Sequence, residues 1–264
     1  MADNCAQAII DAFTRSGVDT AFGIPGVHTL ELYRALGRNG LRHVAVRHEQ
    51  GAAFMADGHA RASGRPAICV LITGPGLLNA ATGIGQAYSD SVPMVVLSTV
   101  NARRDLGLGR GELHEMRNQR LAMEGLVASA LTVVDPSQAH AVADLSLARM
   151  TLGRPRPVYI ELPLDIATAE APEDSGALPP LPLPAPNPAG LAQAADLLRG
   201  AKRPMILLGG GAVGASAAAR RLAESLGAVV ACSIAGKGIV PDDGPHSIGS
   251  RIGTAEGQRL IGQA

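Results

Sequence analysis

Glu49 has the setting with the most chemical potential in this chain. It stands in Arg47-His48-Glu49-Gln50-Gly51-Ala52-Ala53, after an apolar stretch and at the head of an alanine-rich one. The small side chains of Gly51, Ala52, Ala53 and Ala56 leave room for a flat ring to approach the backbone. A carboxylate facing such an apolar hollow is expected to have its pKa raised by desolvation, and so to share a proton with a ring nitrogen near neutral pH. The same residue also reads as a first-turn glutamate that complements the helix macrodipole. Three further pieces accompany it: Phe22-Gly23-Ile24-Pro25-Gly26, Met55-Ala56-Asp57-Gly58-His59-Ala60-Arg61 and Thr73-Gly74-Pro75-Gly76-Leu77-Leu78-Asn79. Gly23, Pro25 and Gly26 predict a sharp strand-to-helix turn. Thr73, Gly74, Pro75 and Gly76 precede a helix N-terminus, a natural seat for polar ligand atoms, and equally make a tight turn. Asn79 and Gln86 stand seven apart on one face of an expected helix, either facing a site or packing. His28, just past the first Pro-Gly turn, and His114, in a polar stretch, are candidate substrate contacts and also read as solvated loop residues.

Alternating elements must position these residues. Helical spacing marks 4–16, 29–36, 48–63, 77–90 and 137–150, with Asp135-Pro136 as a start signal for the last. Apolar runs at 19–24, 41–46, 67–72, 94–97 and 158–162 read as strands. Continuous apolar strands separated by helices imply a parallel sheet covered on both faces, a three-layer αβα arrangement. Such sheets place ligands beyond the carboxyl ends of their strands, where the 23–26 and 74–76 turns fall. From Pro172 to Pro188, seven of seventeen residues are proline, which predicts an extended linker. The βα rhythm then resumes with helices over 191–199 and 215–226, strands over 204–208 and 229–232, and a glycine-rich turn at 209–214. The expected organisation is a domain at 1–170, a Pro-rich linker at 171–189, and an incomplete Rossmann-like domain with about two strands at 190–264.

Composition excludes several classes. Hydrophobic residues make up 47% and charged ones 17%, with no net charge, which argues against disorder and against an electrostatic nucleic-acid binder. No Trp and only three Tyr and three Phe leave little for base stacking. Cys5, Cys69 and Cys232 are far apart, without metal-ligand or disulfide spacing, and their odd number fits a reducing compartment. Neither a signal peptide nor a run long enough to span a membrane is visible. The expectation is a cytoplasmic protein with no metal ligands of its own, no nucleic-acid partner and no membrane partner. Glu161, Asp165, Arg103 and Arg104 read as surface charges. The 209–214 turn lacks an acidic residue at the end of the following strand, Ala231-Cys232-Ser233-Ile234, which counts against a nucleotide-binding oxidoreductase.

Taken together and in this order, the four pieces around Gly23, Glu49, Asp57 and Thr73 resemble the aminopyrimidine-binding domain of thiamine-diphosphate-dependent enzymes of the acetolactate synthase type. The likeness covers about residues 4 to 168. Residues 190 to 249, with Lys237-Gly238-Ile239-Val240-Pro241, resemble the start of that family's central domain. The resemblance implies that Glu49 bonds the aminopyrimidine ring nitrogen and favours the imino form that activates the thiazolium. The cofactor then serves as electron sink for a 2-oxo acid. It implies cofactor contacts at Gly23, Pro25, Gly26, Thr73, Pro75 and Asn79, and substrate contacts at His28, Gln86 and His114. Acetolactate synthases carry Phe-Gln-Glu where this chain has Leu113-His114-Glu115. The stretch Gly109-Arg110-Gly111-Glu112-Leu113-His114-Glu115 is more similar to the guanidino-2-oxo-acid decarboxylase branch, with Glu112 or Glu115 facing a cationic substrate end.

The same family holds magnesium and the diphosphate in a C-terminal domain marked by Gly-Asp-Gly, which this sequence lacks; Asp242-Asp243-Gly244 has no leading glycine. Mg2+ is therefore expected only through such a domain. Completion by a homo-oligomer, typically a dimer, or by a separate diphosphate-binding subunit is expected. The competing expectation is a non-catalytic remnant that acts only through protein association.

Overall fold

A computed structural model describes residues 4–38, 40–173, 182 and 184–264. The chain divides into two compact units, Met1–Pro184 and Ala185–Ala264. The Pro-rich stretch falls at this division, and its residues 174–181 and 183 lie outside the described residues.

The first unit runs α1 (Cys5–Arg15), β1 (Thr20–Gly23), α2 (Leu30–Arg38), β2 (Arg42–Ala45), α3 (Glu49–Ser63), β3 (Ile68–Leu71), α4 (Pro75–Asn79), α5 (Ala81–Asp90), β4 (Val95–Val100), α6 (Gln119–Glu124), β5 (Ser129–Thr132), α7 (Ala139–Thr151), β6 (Val158–Pro163) and α8 (Leu164–Ala167). Six strands form one sheet, in the order β2-β1-β3-β4-β6-β5, with every pair parallel. A strand shows alternate residues to opposite faces, and both faces here are apolar. Ile68, Val70, Val95, Leu97, Val158 and Ile160 join Ile9, Ile10 and Phe13 of α1 in one core. Cys69, Leu71, Val96 and Tyr159 join Ala52, Ala53 and Ala56 of α3 and Ile84 of α5 in the other. This is the three-layer αβα arrangement expected from the unbroken apolar runs.

Local chemistry sets the element ends. The Asn4 side chain accepts from the Gln7 amide at 2.9 Å and starts α1. His48 caps α3, its Nδ1 accepting from the Gln50 amide at 3.2 Å, and Gly64 stops that helix at φ +72°. The helix expected over 77–90 is two helices with Ala80 between them, and Pro75 starts the first at its N1 position. The sequence reading also missed α6, β5 and α8. β5 is a half-buried, four-residue edge strand that carries Ser129 and Thr132, so no apolar run announces it.

The second unit contains α9 (Pro188–Gly200), β7 (Met205–Leu208), α10 (Ser216–Leu226), β8 (Val229–Cys232), β9 (Ser247–Gly249) and α11 (Ala255–Ile261). Its described strands form a parallel sheet of three, β7-β8-β9, not the two expected. β9 is only three residues long and bulged against β8, too short to show a period. The glycine-rich turn is a 3-10 helix over Gly210–Ala215. All three cysteines are free and buried. Among the described residues no helix is long and apolar enough to cross a membrane, and no cluster of His, Cys, Asp or Glu is placed to hold a metal.

Candidate functional site

The parallel sheet delivers all its strand C-termini to one edge. The chain leaves β1 for β2 on one side and returns to β3 on the other, so the crevice between the loops after β1 and β3 is the topological switch point. Those loops carry Gly23 to Gly26 and Thr73 to Gly76, and Glu49 opens α3 just beyond β2. The structure thus brings three of the four pieces to one edge.

Glu49 is half-buried at this rim. Its Oε2 accepts from Asn79 Nδ2 at 2.9 Å, and Oε1 has no hydrogen-bond partner among the described residues. A Cβ added to Gly76 would stand 3.1 Å from Oε1 and 2.4 Å from Ile72 Cγ2. A Cβ at Gly26 would meet Ile72 Cδ1 at 2.5 Å. Ile72 therefore wedges between the two loops, and each loop needs glycine where it passes. Gly23 is as constrained, since its Cβ would fall 2.1 Å from the Val70 carbonyl and 2.6 Å from the Tyr33 hydroxyl. That hydroxyl is buried without a partner among the described residues. Burial, then the nearby Cys69 and Glu49, raises its pKa. Ile72 and Tyr33 were not singled out from sequence, because an isoleucine ending an apolar run and a tyrosine in a helix carry no signal of their own. A free carboxylate oxygen facing a surface that only glycine keeps flat fits one edge of a planar nitrogen heterocycle.

His28 is buried, not solvated. Its Nδ1 lies 2.8 Å from Thr73 Oγ1, so it bridges the two loops. Burial, and next the charge of His114, lowers its pKa. The two imidazoles meet edge to face, with centroids 6.0 Å apart. His114 is half-buried and adopts φ +58°, and its carbonyl packs so close to Gly74 that a Cβ there would sit 2.5 Å away. Pro75 is exposed at the head of α4. Gln86 donates to Asp90 at 2.9 Å on α5, a helix separate from the α4 that carries Asn79. Beside His28 opens a cleft of ≈ 470 Å³ that Asn101, Arg104, Asp105, Glu112, Leu113 and Asp165 also line. Asp165 pairs with Arg103, and Asp105 with Arg104 and Arg110. Glu115 accepts from the amides of Gly111, Gly109 and Glu112, which hold its carboxyl below the usual range. Glu112 has no ion pair among the described residues.

Glu161 corrects the surface reading. It is buried, and desolvation raises its pKa. It accepts from Thr132 Oγ1 at 3.0 Å and from the Tyr159 hydroxyl at 3.3 Å. The hydroxyl also takes Gln119 Nε2 at 2.8 Å, and Gln119 Oε1 accepts from the Gly74 amide at 2.7 Å. The available signal was Glu161's place inside the run Val158-Tyr159-Ile160-Glu161-Leu162, where a surface charge does not belong.

Comparison with known proteins places the chain and its fold. A family model described as the thiamine pyrophosphate enzyme N-terminal TPP binding domain matches residues 3–123, and the central domain of the same enzymes matches 191–264. The probable 2-ketoarginine decarboxylase of Pseudomonas aeruginosa is 46% identical over 98% of this chain and 46% of its own length. The acetolactate synthase large subunit of Parasynechococcus marenigrum is 35% identical over 92% of this chain and 41% of its own. An X-ray structure assigned to a thiamin diphosphate-dependent enzyme of Mycobacterium smegmatis superposes with a TM-score of 0.83 at 25% identity, over 94% of this chain and 48% of that one. The chain spans less than half the length of each of these. Two successive domain matches, relatives aligned along nearly the whole chain and the shared fold lead to one conclusion: the chain belongs to the thiamine-diphosphate-dependent enzymes, in their acetolactate synthase-like family.

Proposed function

We propose that this chain is the aminopyrimidine-binding part of a cytoplasmic thiamine-diphosphate-dependent 2-oxo-acid decarboxylase or carboligase, and that Glu49 is its cofactor-activating carboxylate. The observation that carries this is the divided carboxylate: Asn79 anchors Oε2 while Oε1 stays free beside Gly76, at the switch point of the sheet. When bound, the cofactor supplies an electron sink for decarboxylation. Glu49 would hold the ring nitrogen by a shared proton, with Gly23, Pro25, Gly26, Thr73 and Pro75 framing the ring. His28 and His114 would meet the substrate in the adjoining cleft.

The cleft favours a 2-oxo acid with a cationic end. Of the two glutamates proposed for that end, Glu115 is committed to three loop amides, which leaves Glu112. The name of the Pseudomonas relative points to the same substrate class. Magnesium would enter with the diphosphate, on a domain or subunit outside these 264 residues. Val27, Leu30, Phe54, Met55 and Leu78 are exposed apolar side chains on the elements that frame Glu49. They support a partner seated on this face, either a second copy or a diphosphate-binding subunit. They also favour the second reading, a chain that acts through association alone.

Calorimetry with thiamine diphosphate and Mg2+ separates the two. The chain by itself is expected to give little heat, and addition of a diphosphate-binding partner is expected to restore binding and 2-oxo-acid turnover. Glu49→Gln should then lower turnover about a hundredfold or more, the scale of a lost proton-transfer group. Undiminished turnover would remove Glu49 from the chemistry, and no turnover with any partner would favour association.

A further inference from the structure

Behind His28 runs a buried chain of hydrogen bonds whose acceptor-only and donor-only groups suggest a direction for the rest. The Thr99 carbonyl oxygen only accepts. Thr73 Oγ1 lies 3.0 Å from it and 3.3 Å from Thr99 Oγ1, so a Thr73 hydroxyl hydrogen directed toward Thr99 serves the carbonyl contact, which only a donor can make. With that hydrogen directed to Thr99, His28 Nδ1, 2.8 Å from the same Oγ1, is the donor. Gln119 obeys the same logic. Its Nε2 donates to the Thr99 carbonyl at 2.9 Å and to the Tyr159 hydroxyl at 2.8 Å, while Oε1 accepts from the Gly74 amide. A flipped amide would set oxygen against the Thr99 carbonyl and N–H against N–H at Gly74. With its lone pair taken by Gln119, the Tyr159 hydroxyl donates to Glu161.

We propose that His28 is held as the Nδ1–H tautomer and presents an unprotonated Nε2 to the cleft, as acceptor for an O–H or N–H of the bound substrate. Gln119, with Tyr159 and Glu161 behind it, is the positioning residue that holds the Thr99 carbonyl and the Gly74 peptide in place for this. Nε2 has no partner among the described residues, and His28 lines the cleft. Burial keeps the ring neutral near pH 7, consistent with a bare Nε2. The proposal rests on the reading above only for what fills the cleft; the tautomer requires no cofactor.

The test is long-range 1H–15N NMR of the full chain labelled with 15N-histidine at pH 7.5, with His28 assigned through His28→Gln. The parent is expected to show a protonated Nδ1 and a bare Nε2. Thr73→Val removes the acceptor and should move His28 toward the Nε2–H form. A parent spectrum with Nε2 protonated overturns the proposal. Gln119→Leu should speed amide exchange at Gly74 by roughly tenfold or more, while α1 amides on the opposite sheet face keep their rates. Exchange at the parent rate would remove Gln119 from the positioning role. Should Gln119→Leu fail to fold, Tyr159→Phe keeps the ring and is expected to raise Gly74 exchange severalfold; an unchanged rate there counts against the network. Failure of Glu49→Gln to affect turnover would leave these spectra as they are, so the two readings fail separately.

Discussion

At the scale of single residues, the site depends on where side chains are missing as much as on where they are present. Gly76 faces both Ile72 and the free oxygen of Glu49. Gly76→Ala should displace Ile72 or turn the carboxylate; it is expected to weaken cofactor binding in the completed enzyme, measured by calorimetry, and to destabilise by about 1–3 kcal/mol through overpacking, as Gly76 is buried against Ile72. Undisturbed binding would show that no ring lies there. His28 gives a pH expectation with a definite sign. Its folded pKa is lowered by burial, so the native state binds fewer protons than the unfolded chain. Its contribution to stability is complete above the unfolded value of about 6.5 and is lost as pH falls toward the folded pKa. An NMR titration midpoint for His28 below about 6.5 is expected; a midpoint above it would contradict the buried bridge to Thr73.

Elements carry the next level of constraint, and α3 against α5 is the pair that matters most. Gly83 on α5 packs where a Cβ would stand 2.6 Å from Ala53 Cβ. Gly83→Ala is expected to destabilise by about 1–3 kcal/mol through overpacking. Gly85, two residues on, would meet only Leu126 at 3.8 Å, and Gly85→Ala should instead stabilise by up to about 1 kcal/mol through helix propensity. Opposite shifts in melting temperature check both. On β6, Glu161 has a raised pKa, so the native state holds its proton longer than the unfolded chain does. The stability it lends is full below about pH 4.5 and declines as pH rises through the folded value. Glu161→Gln should flatten that decline in melting curves across pH 4 to 8, with Tyr159, Gln119 and the nearby positive charge of Arg120 unchanged around it. At this scale the sequence was readable where periods were long. The apolar runs of β3 and β4 and the alanine-rich α3 were visible, and with them the placing of Glu49 at a strand-to-helix junction. What escaped were features made by tertiary contact: β5, which hydrogen-bonds β6 without an apolar run, the break at Ala80, and the burial of Glu161. No local pattern encodes a carboxylate that is tolerated only because Thr132 and Tyr159 come from elsewhere to meet it.

Across the whole molecule, the two units differ in how much apolar surface they bury. The first has a core on each face of six strands. The second has one small core, in which Leu208, Val230 and Ile239 meet Ala219, Ala223, Cys232 and Val240, and it leaves Leu207, Val213 and Ile234 exposed. Stability rises with the fraction of surface buried, so the second unit is expected to open first. The cysteines report on this directly. Cys232 lies in the small core, and Cys5 and Cys69 lie one in each core of the first unit, where burial pushes both thiols up to about 12. A buried thiol with so little thiolate is inert until its surroundings open. In a series of rising denaturant concentrations, thiol labelling read by mass spectrometry should reach Cys232 at a lower concentration than Cys5 and Cys69, which should become reactive together. Simultaneous labelling of all three would show that the units unfold as one cooperative body. Earlier labelling of Cys69 than of Cys5 would show that the core beneath Glu49 opens before the sheet as a whole does, and so yields ahead of the core on α1.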